Sequence, residues 1–494
     1  MTGTNRALPS LPLLLWKTPP ALRTILEQEG VAYRVITDLH PLALRAGRFV
    51  LFDGRQAKAD LKPFAKPQHI QIDIQALREG ETGDPFQQLL STEAQTSAWT
   101  LQGHRVVERV ARQDRAKIRR RILARLRDIV TKNGGIWARL AYFPSPYRSA
   151  FNLRVDLDEW VPGDYFNFAR ARTPIEDATT HFVSTAAYGG DDDVLSDLRP
   201  LDTHSHGHRH LVYREREANR VNLRRSLDRL ASAGIEGRGF AAPHGRWNVG
   251  LNDELEDLGC AFSSEFQVGY DDLPFFPWAG NRRSTVLQVP VHPICEGLFF
   301  DAGARDPEAV TSHLISVVRS KIAAGEPAFV YGHPERRLGR FPEIVAALAD
   351  AVAYEPLTWR VGLDAFARWW RWRLARTWSL WPQAEGAFEF RFDEWDARYP
   401  LAVEVLRGRH VARVPVSGPA VRIDPADLAY ELQPNEYSLP RARPLRDELS
   451  VRSVVRRALD WETVTPIDDL PASSLRTRLK RELRIWRERS RRAV

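Results

Sequence analysis

The sequence predicts an α/β protein: a barrel of parallel strands, with a small α/β domain before it and a small antiparallel β domain after it. Three observations carry this. Between Tyr142 and Arg373 short apolar strand-like runs alternate with helical segments, and six or more such units suit a barrel better than an open sheet. After Pro382 the texture changes to short runs of period-2 alternation, the pattern of antiparallel strands with one buried face. No run of about 18 apolar residues occurs, so no segment qualifies as a membrane-spanning helix.

The chain has 494 residues, enough for two to four domains at roughly 100–200 residues each. Its 43% hydrophobic and 27% charged residues fit a globular protein and exclude a fibrous or largely disordered one. Leu11-Pro12-Leu13-Leu14-Leu15-Trp16 is too short for a leader, contains a proline and lacks a small-residue cleavage site after it, so a cytoplasmic protein is expected. The two cysteines, Cys260 and Cys295, read as small buried apolar residues, so any metal site must be built from His and carboxylate. The net charge of +8 is concentrated in the last stretch: Ser473 to Val494 carries nine basic residues against Glu482 and Glu488, leaving the body near neutrality. That argues against a specific nucleic-acid partner.

In chain order, residues 1–113 read as a small α/β domain. Pro20 to Gly30 has helical spacing and closes on a glycine, and Val31–Ile36, Arg48–Phe52 and His69–Ile74 look like strands. None is followed by a Gly-rich phosphate loop. Residues 114–141 are a basic linker helix, Asp114 to Asn133, whose arginines interleave with Ile118, Ile122, Leu123, Leu126 and Ile129, as in a packed amphipathic helix. Residues 142–381 form the barrel, closed by an aromatic helix over Leu363 to Leu380. Residues 382–470 are β-rich. In 471–494, Leu475, Leu479, Leu483 and Trp486 recur at helical spacing among arginines, giving a basic amphipathic helix suited to an anionic membrane surface or to packing on the β domain.

Three clusters in the barrel carry chemistry, each where a strand should end, as the active-site loops of a parallel barrel do. Val155-Asp156-Leu157-Asp158-Glu159 places Asp156 and Asp158 on one side of a strand end, where one carboxylate can bind a cation and the other take a proton. His204, His206, His208 and His210 fall within seven residues. Either the 204/208 or the 206/210 pair has the i, i+4 spacing of two zinc ligands. Tyr331-Gly332-His333-Pro334 ends an apolar strand with a histidine.

In order and spacing these clusters resemble the polysaccharide deacetylase family, the NodB-homology or carbohydrate esterase family 4 domain. Asp156 and Asp158 resemble its acidic first motif. Ser205-His206-Gly207-His208-Arg209-His210 resembles its S-H-x-x-x-H motif and selects His206 with His210. Gly239-Phe240-Ala241-Ala242-Pro243-His244-Gly245 is similar to its G-F-R-x-P-x-G motif, Leu258–Ser264 to its L-G-Y-x-Y-S-S strand, and Tyr331–Pro334 to its last motif. The likeness spans about 220–240 residues. It implies a distorted NodB-type barrel and metal-dependent hydrolysis of an N-acetyl group on an amino sugar. Asp158, His206 and His210 would hold zinc or another divalent metal, Asp156 would be the base and His333 the acid. His208, Pro243, His244, Arg246, Trp247 and Tyr331 would face the substrate.

Two departures stand out. The D-x-D spacing leaves the roles of Asp156 and Asp158 interchangeable. The motif arginine that pairs with the base is replaced by Ala241, so that Arg154, Arg238 or Arg246 must reach Asp156 if the site is to work. The expected substrate is an N-acetylated saccharide in a polysaccharide, glycolipid or envelope precursor, met in the cytoplasm or at the inner membrane. The alternatives are a metal- and carbohydrate-binding protein with little or no turnover, and a related deformylase or linear-amide hydrolase.

Overall fold

The computed structural model describes residues 8–445 apart from 38, 56–67, 81, 189–191 and 434, together with residue 482. The tail helix expected over 471–494 lies, but for Glu482, outside the described residues. Among the described residues no helix is long and apolar enough to cross a membrane.

The N-terminal unit is a parallel sheet of β1 (Leu13–Trp16), β2 (Tyr33–Val35), β3 (Phe49–Phe52) and β4 (Ile70–Asp73), in the order β2-β1-β3-β4. All four residues of β1 and of β3 are buried, which is why both read as unbroken apolar runs. A hairpin follows, β5 (Ala94–Leu101) and β6 (His104–Ala111), turning through Gln102 and Gly103 at φ of 49° and 78°. The hairpin packs on the barrel. Trp99, Leu101, Val106 and Val110 join the core of the barrel, and the Ala111 amide donates to the Phe266 carbonyl at 3.0 Å. The helix Arg115–Lys132 is capped by Asp114, whose carboxylate accepts from the Lys117 amide.

The barrel begins after β7 (Trp137–Leu140). Its strands are β8 (Ser149–Leu157), β9 (Thr179–Val183), β10 (Asp202–Ser205), β11 (Gly239–Phe240) and β12 (Phe262–Ser263). After a short antiparallel pair, β13 (Trp278–Ala279) and β14 (Arg282–Arg283), come β15 (Leu287–Gln288), β16 (Pro327–Gly332) and β17 (Thr358–Arg360). The order is β15-β12-β11-β10-β9-β8-β16, every pairing parallel, with β17 beside the start of β8. The chain leaving β15 reaches across to the far edge, where the His292 amide donates to the Phe329 carbonyl at 2.8 Å, so the sheet curls toward closure. All nine residues of β8 are buried, with β9 on one side and β16 and β17 on the other.

Two expectations change. The aromatic helix stops at Leu374: Ala375 caps it, and Trp378, placed in that helix by its spacing, instead begins β18 (Trp378–Pro382) and pairs with Phe392. Helical spacing of tryptophans does not separate a helix from a strand that buries alternate residues. Nor do the C-terminal strands stand as a separate domain. β19 (Phe388–Phe392) and β22 (Ala420–Ile423) complete the sheet begun by β18. β20 (Ala402–Arg407), β21 (His410–Pro415) and β23 (Glu431–Leu432) form a sheet with β7, from the segment read as linker. Val403, Val405, Phe390 and Phe392 share one core with Leu13, Leu15 and Phe49 of the N-terminal unit. Short strands of this kind cannot bury a face alone and borrow the nearest apolar surface.

Candidate active site

Along β8, alternate residues face the barrel interior, which stacks Asn152, Arg154, Asp156 and Asp158 in one row rising to the strand's C-terminal end. Asn152 belongs to the floor: its amide donates to Thr180 Oγ1 at 2.9 Å and to the Val361 carbonyl at 2.9 Å. Arg154 is fully buried and grips the residue above it in bidentate fashion, Nε to Asp156 Oδ1 at 2.7 Å and Nη2 to Oδ2 at 2.5 Å. Its third nitrogen, Nη1, donates to the Ser264 carbonyl at 2.6 Å and to Ser264 Oγ at 3.2 Å. Of the three candidate arginines, the one that grips Asp156 is Arg154, two residues upstream on the same strand. Arg238 instead pairs with Glu236 at the surface.

Burial by itself would raise the Asp156 pKa, but the Arg154 charge, followed by His206 and the Arg154 hydrogen bonds, holds it below the ordinary carboxylate value. Asp156 is therefore an anion at neutral pH, aimed at the mouth of the barrel.

Asp158, just past the end of β8, meets the histidines that follow β10. Asp158 Oδ1 lies 3.2 Å from His206 Nε2 and 3.2 Å from His210 Nε2. Asp158 Oδ1 is buried and in hydrogen-bond geometry with neither. His206 Nδ1 sits 2.7 Å from the Ala241 carbonyl, so that the ring donates there and leaves Nε2 as a lone-pair donor toward Asp158. Two imidazole lone pairs and one carboxylate oxygen, all within 4.8 Å of one another, are a three-ligand set of the kind that holds catalytic zinc with a position to spare. Burial would raise the Asp158 pKa, yet His210 and then His206 and His333 hold it well below the ordinary value. His210 is pushed down to about 3, chiefly by burial, which keeps its ring neutral as a ligand must be.

His333 ends β16 across the cavity, its Nε2 3.9 Å from Asp158 Oδ2. Sequence reasoning passed over its partner. Glu296, fully buried, accepts from the His333 backbone amide at 2.9 Å and lies 2.8 Å from His333 Nδ1. A side chain at Gly332 would run into that carboxylate, which explains the glycine before the histidine. Burial would lower the His333 pKa, but the Glu296 charge and the hydrogen bonds of Cys295 and Glu296 override it and raise it well above the ordinary histidine value. His333 is therefore a proton donor at neutral pH. A signal for Glu296 was present in sequence: an acid after Cys295, just beyond an apolar strand.

One cavity of ≈ 200 Å³ brings together Asp156, Asp158, His206, His210, His244, Tyr331 and His333. His244, at φ 56° in the turn Pro243–Gly245, sets its ring 4.9 Å from that of His210. Tyr331 stacks on Phe266 at 5.6 Å. Pro243 is buried in its turn. His208, Pro243, Arg246 and Trp247 are not among the cavity's lining residues. His208 turns to Thr185, Nδ1 to Oγ1 at 3.0 Å, and burial with Arg225, Arg209 and Arg229 nearby pushes it down to about 4. Arg246 closes the Pro243–Gly245 turn. Trp247 lines a separate groove with Gln267 and Arg109. Missed by the sequence reading is Glu108, from β6, which lines the cavity from outside the barrel.

No family model matches the chain, and no curated protein matches it. Solved structures do. A protein named as a polysaccharide deacetylase from Mycobacterium smegmatis is 17% identical, with a TM-score of 0.40, over 47% of this chain and 93% of that one. A family 4 carbohydrate esterase from Streptomyces lividans, in complex with acetate, is 10% identical, with a TM-score of 0.30, over 42% of this chain and 90% of that one. A family 4 pseudoenzyme from Bacillus anthracis is 11% identical, with a TM-score of 0.32, over 45% of this chain and 66% of that one. The chain is similar in structure, over under half its length, to polysaccharide deacetylases and members of carbohydrate esterase family 4.

Proposed function

We propose that this protein is a metal-dependent amide hydrolase that removes the N-acetyl group from an amino sugar, with Asp156 as base and His333 as acid. The observation that carries this is the opposition, across one cavity, of a carboxylate locked as an anion by Arg154 and a histidine held protonated by Glu296. A divalent cation held by Asp158, His206 and His210, zinc on the chemistry of these donors, would supply Lewis acidity toward a water and an amide carbonyl. Asp156 accepts the proton of a water as its oxygen bonds to the acyl carbon. His333 Nε2 gives a proton to the amide nitrogen as the carbon–nitrogen bond breaks, so acetate and a free amine leave. The amine leaves poorly unless protonated, which is why the acid must stay charged at neutral pH.

The neighbours of the two aspartates support this division of roles. Asp158 faces two imidazole lone pairs, whereas both oxygens of Asp156 are committed to a guanidinium and keep room only for a water. Ala241 taken alone favours a binding protein without turnover, whereas Arg154 on β8 supplies a cation to Asp156 and supports the hydrolase. A glycan precursor or lipid-linked glycan, met in the cytoplasm, is the substrate this reading favours. Amine release from N-acetylglucosamine-containing glycans, with zinc content, is the test. Bound zinc and turnover that vanishes in Asp156→Asn support the reading; bound zinc with no turnover on any acylated sugar overturns it.

A further inference from the structure

We infer that the β5–β6 hairpin, which lies outside the barrel, is the substrate-selecting wall of the site: it seats the reacting sugar against Glu108 and a neighbouring sugar along Trp247. This rests on the function proposed above and names the part of the molecule that chooses the saccharide.

The hairpin is anchored for that position. Its apolar face is built into the barrel core, and its end is tied to the segment after β12 through Ala111 and Phe266. Phe266 and Glu108 both line the ≈ 200 Å³ cavity, on the side of Tyr331 and His333. The Glu108 carboxylate accepts from the Arg109 backbone amide and has no side-chain hydrogen bond or ion pair of its own among the described residues. Burial pushes it up to about 7, with the Arg109 amide and His333 opposing and Asp301 adding to the rise. A half-buried carboxyl with spare acceptor sites, facing a cavity of roughly one sugar ring, matches the hydroxyls of a hexosamine.

The next residue on the strand points the other way, and Arg109 lines a second depression of ≈ 480 Å³ with Trp247 and Gln267. The two linings are joined by one hydrogen bond: Gln267 Nε2, in the depression, donates at 3.0 Å to the carbonyl of His244, which lines the cavity. An indole beside a guanidinium suits a second sugar ring, stacked on its apolar face and hydrogen-bonded at its rim. The substrate class is then a saccharide of at least two rings, with the acylated residue at the end that enters the cavity.

The test compares N-acetylglucosamine with its β-1,4-linked dimer, by kcat and KM and by calorimetric binding, on wild type, Glu108→Ala, Glu108→Gln and Trp247→Ala, with zinc content measured for each. The dimer is expected to have a KM about tenfold lower than the monomer, Trp247→Ala to erase that difference, and Glu108→Ala to raise KM about tenfold for both with zinc and kcat little changed. Glu108→Gln, which keeps an acceptor oxygen, is expected to recover part of the loss and guards against a folding defect in the alanine variant. Unchanged KM in Glu108→Ala and Trp247→Ala, or equal KM for monomer and dimer, overturns the inference while leaving the hydrolase intact. If wild type turns over neither these two sugars nor any other acylated sugar, the hydrolase reading fails, and the calorimetric arms decide the wall by itself: binding lost in both variants supports it, and binding unchanged overturns it.

Discussion

Among the described residues, two histidine–aspartate clusters of the barrel differ in what they leave open for a cation. At the mouth, His206 and His210 converge on Asp158, both rings at 3.2 Å from one oxygen that no hydrogen bond claims. Under the opposite edge, His292 Nδ1 lies 3.0 Å from Asp271 Oδ2, His292 Nε2 faces His313 Nε2 at 3.1 Å, and Lys321 Nζ sits 2.8 Å from Asp271 Oδ1. Residue types are similar, but Asp158 and His210 are half-buried whereas Asp271, His292 and His313 are buried. The second cluster carries its own cation, and both nitrogens of His292 are spent, one on the carboxylate and one on His313. The first has more lone pairs than protons to fill them. A metal site is therefore marked by unspent donors, not by a count of histidines.

Breaking the first cluster has the largest expected effect. On the proposed function His210→Ala removes a ligand, and the lost Lewis acidity, worth several kcal/mol, should lower turnover by about 10³ or more, with zinc lost in elemental analysis. His313→Ala, its counterpart, should keep zinc and turnover; zinc lost there would erase the distinction between the clusters.

The Arg154–Asp156 pair comes next. Arg154→Met leaves Asp156 buried without its cation, expected to destabilise the fold by about 3–5 kcal/mol and to slow turnover by at least about a hundredfold. Arg154→Lys keeps the charge but not the two-pronged grip, and should fall between them. Equal turnover in Met and Lys variants would show that the pair serves folding alone.

Lys321→Met does the same to the second cluster. A loss of about 3–5 kcal/mol in chemical denaturation is expected, with kcat unchanged at a temperature where the variant is folded. A fall in kcat matching that of Arg154→Met would tie the two clusters together.

The smallest effect is a shift in a pH profile. Glu296 raises the His333 pKa, so the protonated acid persists into the alkaline range and activity is lost as pH rises through that pKa. Removing the negative charge in Glu296→Gln lowers the pKa, so the alkaline limb of kcat/KM must move to lower pH while the acidic limb, set by Asp156, stays. A limb that does not move would mean another group is the acid.

How much of this the sequence showed differs by region. The strand ends bearing Asp156, Asp158, His206, His210 and His333 were legible because each pairs an apolar run with polar residues in a fixed order, and the structure sets those five side chains around one cavity. Glu296 was marked only faintly, as an acid just beyond an apolar run, since nothing in its neighbourhood repeats or alternates. His208 drew attention by density alone, and its backbone turns it to Thr185. Glu108 was out of reach, because a strand in the N-terminal part gives no sign of which core it joins.

What the sequence determined by itself is local: alternating strands and helices, the histidine spacing, and the absence of the motif arginine at Ala241. Which arginine replaces it, which histidines converge, and which hairpin walls the cavity were decided by tertiary structure. The physical reason is that a guanidinium or carboxylate is assigned by the charge it neutralises inside a dry barrel, and that partner is fixed by the curl of the sheet. In the one case of Arg154 the two levels meet. Its partner is two residues away on the same strand, and only burial of that strand's inner face makes the pairing obligatory.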